Sequence, residues 1–223
     1  MSEHTYFALL KFGELGHLEA LRNKGHLHCK PLNYFADLED ECHRGDPLEK
    51  VSYLHTIDGA EIRIKDVDAP DSEYKLVGTA HTGVVQKSYE VSPGNLFCTY
   101  SFRLDKEELN KEFIIPEECL KLGDHYLVIK DFEEFLKRVD QRLSALNFSA
   151  RHGFVGYKDF SKFIGTKTVF EKDVIYRFQK EFRIFITNPT DQSLDIEIGT
   201  LADISEICQI DDEHTIMFFD VNE

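Results

Sequence analysis

The clearest periodicity in the chain spans residues 131–146. Phe132, Phe135, Leu136, Val139, Leu143 and Leu146 recur at helical spacing, and Asp131 suits the positive end of the helix dipole. Around it lie short apolar runs of strand character: residues 6–12, 26–30, 95–104, 125–129, 153–157, 173–186, 194–198 and 215–221. One strong helix among many short strands buries its apolar faces best as an α+β arrangement. A shorter helix is expected over residues 13–23, where Leu15, Leu18 and Leu21 keep a spacing of three and Gly25 closes the turn. Residues 32–41 read as a short helix or turn, and residues 105–110 and 201–207 as single helical turns. A length of 223 residues suffices for one full domain. The expectation is a single α+β domain over 1–223, with a mainly antiparallel or mixed sheet and two or three helices.

Turn chemistry sets the remaining boundaries. Pro31 stops the second strand, and residues 37–50 form a polar loop around Gly45-Asp46-Pro47. Residues 51–65 alternate, and Asp58-Gly59 reads as a hairpin turn. Residues 66–73 form an acidic loop, followed by a short strand near 74–77.

Charge limits the partners. The chain has 26 Lys+Arg against 41 Asp+Glu, a net charge of −15. That balance disfavours direct nucleic-acid binding, which rests on neutralising phosphates, and it disfavours anionic membrane surfaces. No run reaches the roughly 20 apolar residues of a membrane helix, and the N-terminus lacks the pattern of a secretory signal. Five cysteines at wide spacing, without C-x-x-C, suit free thiols and a cytoplasmic protein.

Charged residues inside apolar strands are the candidate site. In residues 176–186, Phe182, Ile184 and Ile186 share one face, while Gln179, Glu181, Arg183 and Phe185 share the other. A charge on such a strand meets solvent, an internal ion pair or a cleft. Glu181 is therefore either paired with Arg183 or a lysine, or is a group that stabilises a developing cation. Lys11, near the end of the first strand, either snorkels to water or holds an anion at a cleft. Arg44, in the Arg-Gly-Asp-Pro turn, is either solvated or grips an anionic substrate. Lys11 and Glu181 are expected to face one another across a cleft, with Arg44 or Tyr34 at its rim, since an isolated charge within an apolar strand is costly. No metal is expected. His26 and His28 alternate on one strand, but no H-E-x-x-H or paired cysteine spacing accompanies them, and no phosphate-loop or dinucleotide glycine motif occurs.

Three segments together resemble a widespread bacterial and phage family of uncharacterised proteins: the N-terminal strand–helix–strand ALLKFGELGHLEALRNKGHLHCKPLNYF, the Asp-Pro-x-Glu turn in RGDPLEK, and the late strand FQKEFRI. More distantly, the layout resembles ADP-ribosyltransferases. That resemblance implies an ADP-ribosyltransferase-like fold, NAD as substrate and a macromolecular acceptor. It implies Glu181 as the residue stabilising an oxocarbenium-like charge and Gln179 as orienting the acceptor. Lys11 would contact the dinucleotide, and Tyr34 would stack on nicotinamide. The setting implied is conflict between phage and host. Two other readings stand beside it: a non-enzymatic acidic inhibitor or sensor that occupies a partner's basic groove, and a nuclease-like toxin using Glu181, Arg183 and lysines without NAD.

Overall fold

The computed structural model describes residues 5–38, 45–210 and 215–218. The first apolar run forms β1 (Thr5–Gly13), followed by α1 (Leu15–Lys24). Gly25 ends α1 with φ 64°, a conformation that costs an L side chain about 1–2 kcal/mol. A Cβ there would also lie 2.1 Å from the Gly199 carbonyl oxygen, so glycine is required twice over. β2 (His26–Pro31) stops at its proline, and α2 (Leu32–Asp37) carries Tyr34. A long antiparallel hairpin follows, β3 (Val51–Ile64) and β4 (Lys75–Ser88), then β5 (Gly94–Asp105). β6 (Glu112–Ile114), α3 (Glu117–Leu120) and β7 (His125–Ile129) lead to α4 (Phe132–Ala145). The second half adds β8 (Ser149–Phe154), β9 (Gly156–Lys158), β10 (Ile164–Thr166), β11 (Glu171–Asp173) and β12 (Glu181–Thr187). β13 (Leu194–Glu197), β14 (Ser205–Gln209) and β15 (Thr215–Met217) complete it.

An eight-stranded, wholly antiparallel sheet runs β13-β2-β5-β1-β7-β14, with β12 paired to β5 and β8 to β12. β5 is its hub. It joins β1 through Leu10↔Tyr100, β12 through Cys98↔Arg183 and β2 through Lys30↔Leu96. The fold is thus α+β and mostly antiparallel; among the described strands only β9 and β11 pair in parallel.

α4 and α1 cover one face of this sheet. Phe135, Val139 and Leu143 from α4, and Leu18 and Leu21 from α1, pack on Leu9, Phe97, Leu127, Phe182, Ile184 and Ile186. Burying one such large side chain contributes about 1.5–3 kcal/mol. The Asp131 carboxylate caps α4 by accepting from the Glu134 backbone N–H at 2.9 Å. On the opposite face lie two smaller apolar clusters, one around Leu10, Tyr100 and Phe102, the other around Leu32, Leu96, Val169 and Phe185.

Five expectations are corrected. Among the described residues the α-helices number four, α1–α4, rather than two or three, because the short segments 32–37 and 117–120 each close a helical turn after a proline. Asp58-Gly59 is not a turn: Asp58 pairs with Thr82 and Ala60 with Ala80, so the ladder runs straight past Gly59 despite its φ of 79°. The strand placed near 74–77 is 14 residues long, because β3 offers it a full partner. Residues 173–186 are not one strand. A 3-10 helix occupies Val174–Gln179, Lys180 turns the chain with φ 38°, and β12 begins at Glu181. Residues 201–207 are not a helical turn throughout: Ser205–Gln209 joins the sheet beside β7, whose free edge outweighs local helical spacing. Of the last strand, β15 is described, and residues 219–221 lie outside the described residues. Among the described residues, no helix is long and apolar enough to cross a membrane.

Candidate functional site

The strand parity expected within β12 places Glu181 and Arg183 on the sheet face opposite α1 and α4. Each buried charge there needs a partner from elsewhere in the chain. Glu181 finds two. Its Oε1 accepts from Lys172 Nζ at 2.7 Å, and its Oε2 from Arg183 Nε at 2.6 Å. The backbone N–H of Glu181 donates to the Tyr157 hydroxyl at 2.9 Å. The 3-10 helix brings Gln179 back to the same ammonium, with Lys172 Nζ donating to Gln179 Oε1 at 2.7 Å.

Arg183 extends the network to the Asp-Pro-x-Glu turn. Its Nη2 and Nη1 both donate to the Glu49 carboxylate, the latter at 3.1 Å, and Nη1 also donates to the Val169 carbonyl. Lys172 Nζ lies 3.6 Å and Lys167 Nζ 3.9 Å from Glu49. Asp46 is buried beside them. Its Oδ1 accepts from the Leu48 N–H at 2.9 Å, while among the described residues Oδ2 has no hydrogen-bond partner. The buried set is therefore three carboxylates, Asp46, Glu49 and Glu181, and three cations, Lys167, Lys172 and Arg183.

Burial and pairing pull these groups in different directions. For Glu181 and Glu49, burial raises the pKa, but the charges of Arg183 and Lys172 outweigh it and hold both carboxyls well below their usual range. For Lys172, burial lowers the pKa, but the Glu181 carboxylate overcomes it. Asp46 and Lys167 are the weakly compensated members. Burial, with Glu49 nearby, pushes Asp46 up, and burial pulls Lys167 down. Behind the network, burial pushes the Cys98 thiol up to about 12. The arrangement neutralises itself, and its chemistry is to fix geometry: it ties the turn at residues 46–49 to β12 across 134 positions of sequence.

The other expected site residues are dispersed. Lys11 shares the α1/α4 face with Leu9, and its ammonium donates to the Cys98 carbonyl at 2.7 Å and sits 4.7 Å from the Phe97 ring centroid. The sheet therefore lies between Lys11 and Glu181. They do not face one another across a cleft, because one ends an odd-numbered row on β1 and the other begins the opposite row on β12. Tyr34, on α2, borders an open hollow of about 460 Å³ with Asn33, Asp37 and Asp191, and the Lys30 ammonium lies 4.7 Å from its ring. α2 touches the network's turn through the Asp46 N–H, which donates to the Phe35 carbonyl at 3.0 Å. Arg44 lies outside the described residues. His26 and His28 both contact one oxygen of Asp195, at 2.9 and 2.7 Å.

Lys167 and Lys172 were missed by sequence reasoning. They stand in polar, turn-rich segments where a charge carries no signal of burial. The available clue was indirect: Glu181 and Arg183 on an apolar strand required compensating charges from somewhere. Comparison with known protein families, with characterised proteins and with solved structures finds no match to the chain.

Proposed function

We propose that the protein is a non-catalytic acidic binding module, of the inhibitor or sensor kind, whose partner presents a basic surface. The observation that carries this reading is the occupancy of Glu181: both of its carboxylate oxygens are held by the protein's own cations. A carboxylate that stabilises a developing charge must instead meet the reacting atom. The sheet between Glu181 and Lys11 points the same way. The nuclease-like alternative needs cations available to phosphate, whereas Lys172 and Arg183 are each held by carboxylates. The net charge of −15 supplies the complementary attraction for a basic partner.

One observation favours NAD-dependent ADP-ribosyl transfer as a second reading. Gln179 and Glu181 converge on one ammonium, so the Gln-x-Glu pair is brought together despite the intervening turn. Incubation of the chain with labelled NAD and a cell lysate separates the two. Release of nicotinamide or labelling of a macromolecule, lost in Glu181→Gln, refutes the non-catalytic reading. Absence of both, with Glu181→Gln altering stability alone, supports it.

A further inference from the structure

The β3–β4 hairpin carries features that the buried network does not explain. At about 3.4 Å per residue its 14-residue strands reach nearly 50 Å. Their distal parts are exposed on both faces, and Ile62, Ile64, Leu76, Val77, Val84 and Val85 are each more than half exposed. A two-stranded ribbon without a packed face is marginal on its own. β10 covers only the base of β3, from Tyr53 to His55. β4 is the outer strand of this sheet, and its far edge pairs with no described strand.

Between Lys75 and Lys87, near the two ends of β4, that edge lacks the usual protections. From Leu76 to Gln86 it contains no proline and no Asp, Glu, Lys or Arg, in a Val- and Thr-rich run. Edge strands are ordinarily blunted by such residues, since open N–H and C=O groups recruit another strand. In the register of the hairpin, Val84 stands opposite Thr56 and Ala80 opposite Ala60, with the polar pair Asp58–Thr82 between them. The connecting loop is acidic, with Asp66, Asp68, Asp71 and Glu73 against Lys65.

We propose that the outer edge of β4 takes up an extended basic segment of a partner protein as an added strand. The segment's backbone completes the ladder, its alternate apolar side chains lie beside the exposed Val77, Val84 and Val85 of β4, and its Lys or Arg residues meet the acidic tip. Charge decides the occupant. A second copy brings its own net charge of −15 and its own acidic tip, and nucleic acid is repelled by the same loop. The inference rests on the binding-module reading and names its surface.

The test uses the full chain and a fluorescent peptide of alternating lysine and valine, followed by anisotropy at low salt. Along a strand, successive N–H groups alternate between the partner strand and the outside. Of His81→Pro and Thr82→Pro, one therefore removes an outward donor and the other a ladder donor. The proline that leaves the melting temperature unchanged is expected to abolish peptide binding. Neutralising the tip (Asp66→Asn, Asp68→Asn, Asp71→Asn, Glu73→Gln) is expected to weaken it about tenfold, and a glutamate–valine peptide is expected not to bind. No binding by the wild type overturns the proposal, as does equal binding by the wild type and the stable proline variant. Self-association of the wild type that this proline reverses also overturns it, in favour of a second copy. NAD cleavage by the chain refutes the non-catalytic reading and leaves the peptide result standing, so the two failures are distinguishable.

Discussion

Glu181→Gln keeps the shape of the side chain and removes one negative charge from a buried set of three carboxylates and three cations. Two short hydrogen bonds change character. Lys172 Nζ, now 2.7 Å from Oε1, and Arg183 Nε, 2.6 Å from Oε2, cannot both be accepted by an amide with a single oxygen. One cation then faces an NH₂ group at hydrogen-bond distance. Compensation is partial, because Glu49 still holds Arg183 through two nitrogens and stands 3.6 Å from Lys172. Breaking a buried pair costs about 3–5 kcal/mol, and the surviving Glu49 contacts place this variant near the lower end, at ~3 kcal/mol. In a chain of this length each kcal/mol moves the melting temperature by about 2–4 °C, so a fall of roughly 6–12 °C is expected. Glu49→Gln should cost more, because it strips Arg183 of its two-nitrogen partner and leaves Lys167 with no carboxylate within 4 Å among the described residues. Thermal melts of the two variants at neutral pH check both the size and the order. A fall of under about 2 °C in Glu181→Gln, or a smaller loss in Glu49→Gln, would refute the account of the network as a mutually neutralising unit.

Other outcomes follow from the same geometry. Glu181 and Glu49 have folded pKa values below their unfolded ones, so their stabilisation is present above the unfolded carboxylate pKa and is lost as pH falls through the folded values; acid titration of stability should show this loss, reduced in Glu181→Gln. Asp46 behaves oppositely: its folded pKa is raised, so its charge costs stability as pH rises past the unfolded value, and Asp46→Asn should hold or raise the melting temperature at neutral pH. Thiol counting in denaturant without reductant should return five, since Cys29, Cys98, Cys119 and Cys208 are free, and a return of one or three contradicts this. Gly25→Ala should lower the melting temperature through left-handed strain of about 1–2 kcal/mol and the clash with Gly199, and an unchanged melt would refute that contact.

Local chemistry was legible wherever it settled its own outcome. The helical spacing and Asp131 located α4, Gly25 closed α1, and Pro31 ended β2. The alternation in residues 182–186 assigned faces correctly, because strand parity is a property of the backbone alone. It also required partners for Glu181 and Arg183, without naming them. What the sequence could not settle was pairing between distant segments. Asp58-Gly59 has the composition of a turn, yet β4 draws the strand through it, since twelve paired positions outweigh one local preference. Residues 201–207 read as a helical turn, yet the open edge of β7 makes 205–209 a strand. Gln179 and Glu181 look like neighbours on one strand, and only Lys180's left-handed turn shows that they meet at Lys172 from different elements. Composition and periodicity fixed the α+β class and the charge that governs partners. Tertiary structure alone decided which charges lie buried together, because desolvation and Coulomb attraction depend on distance in space, and Glu49 and Arg183 are neighbours only after folding.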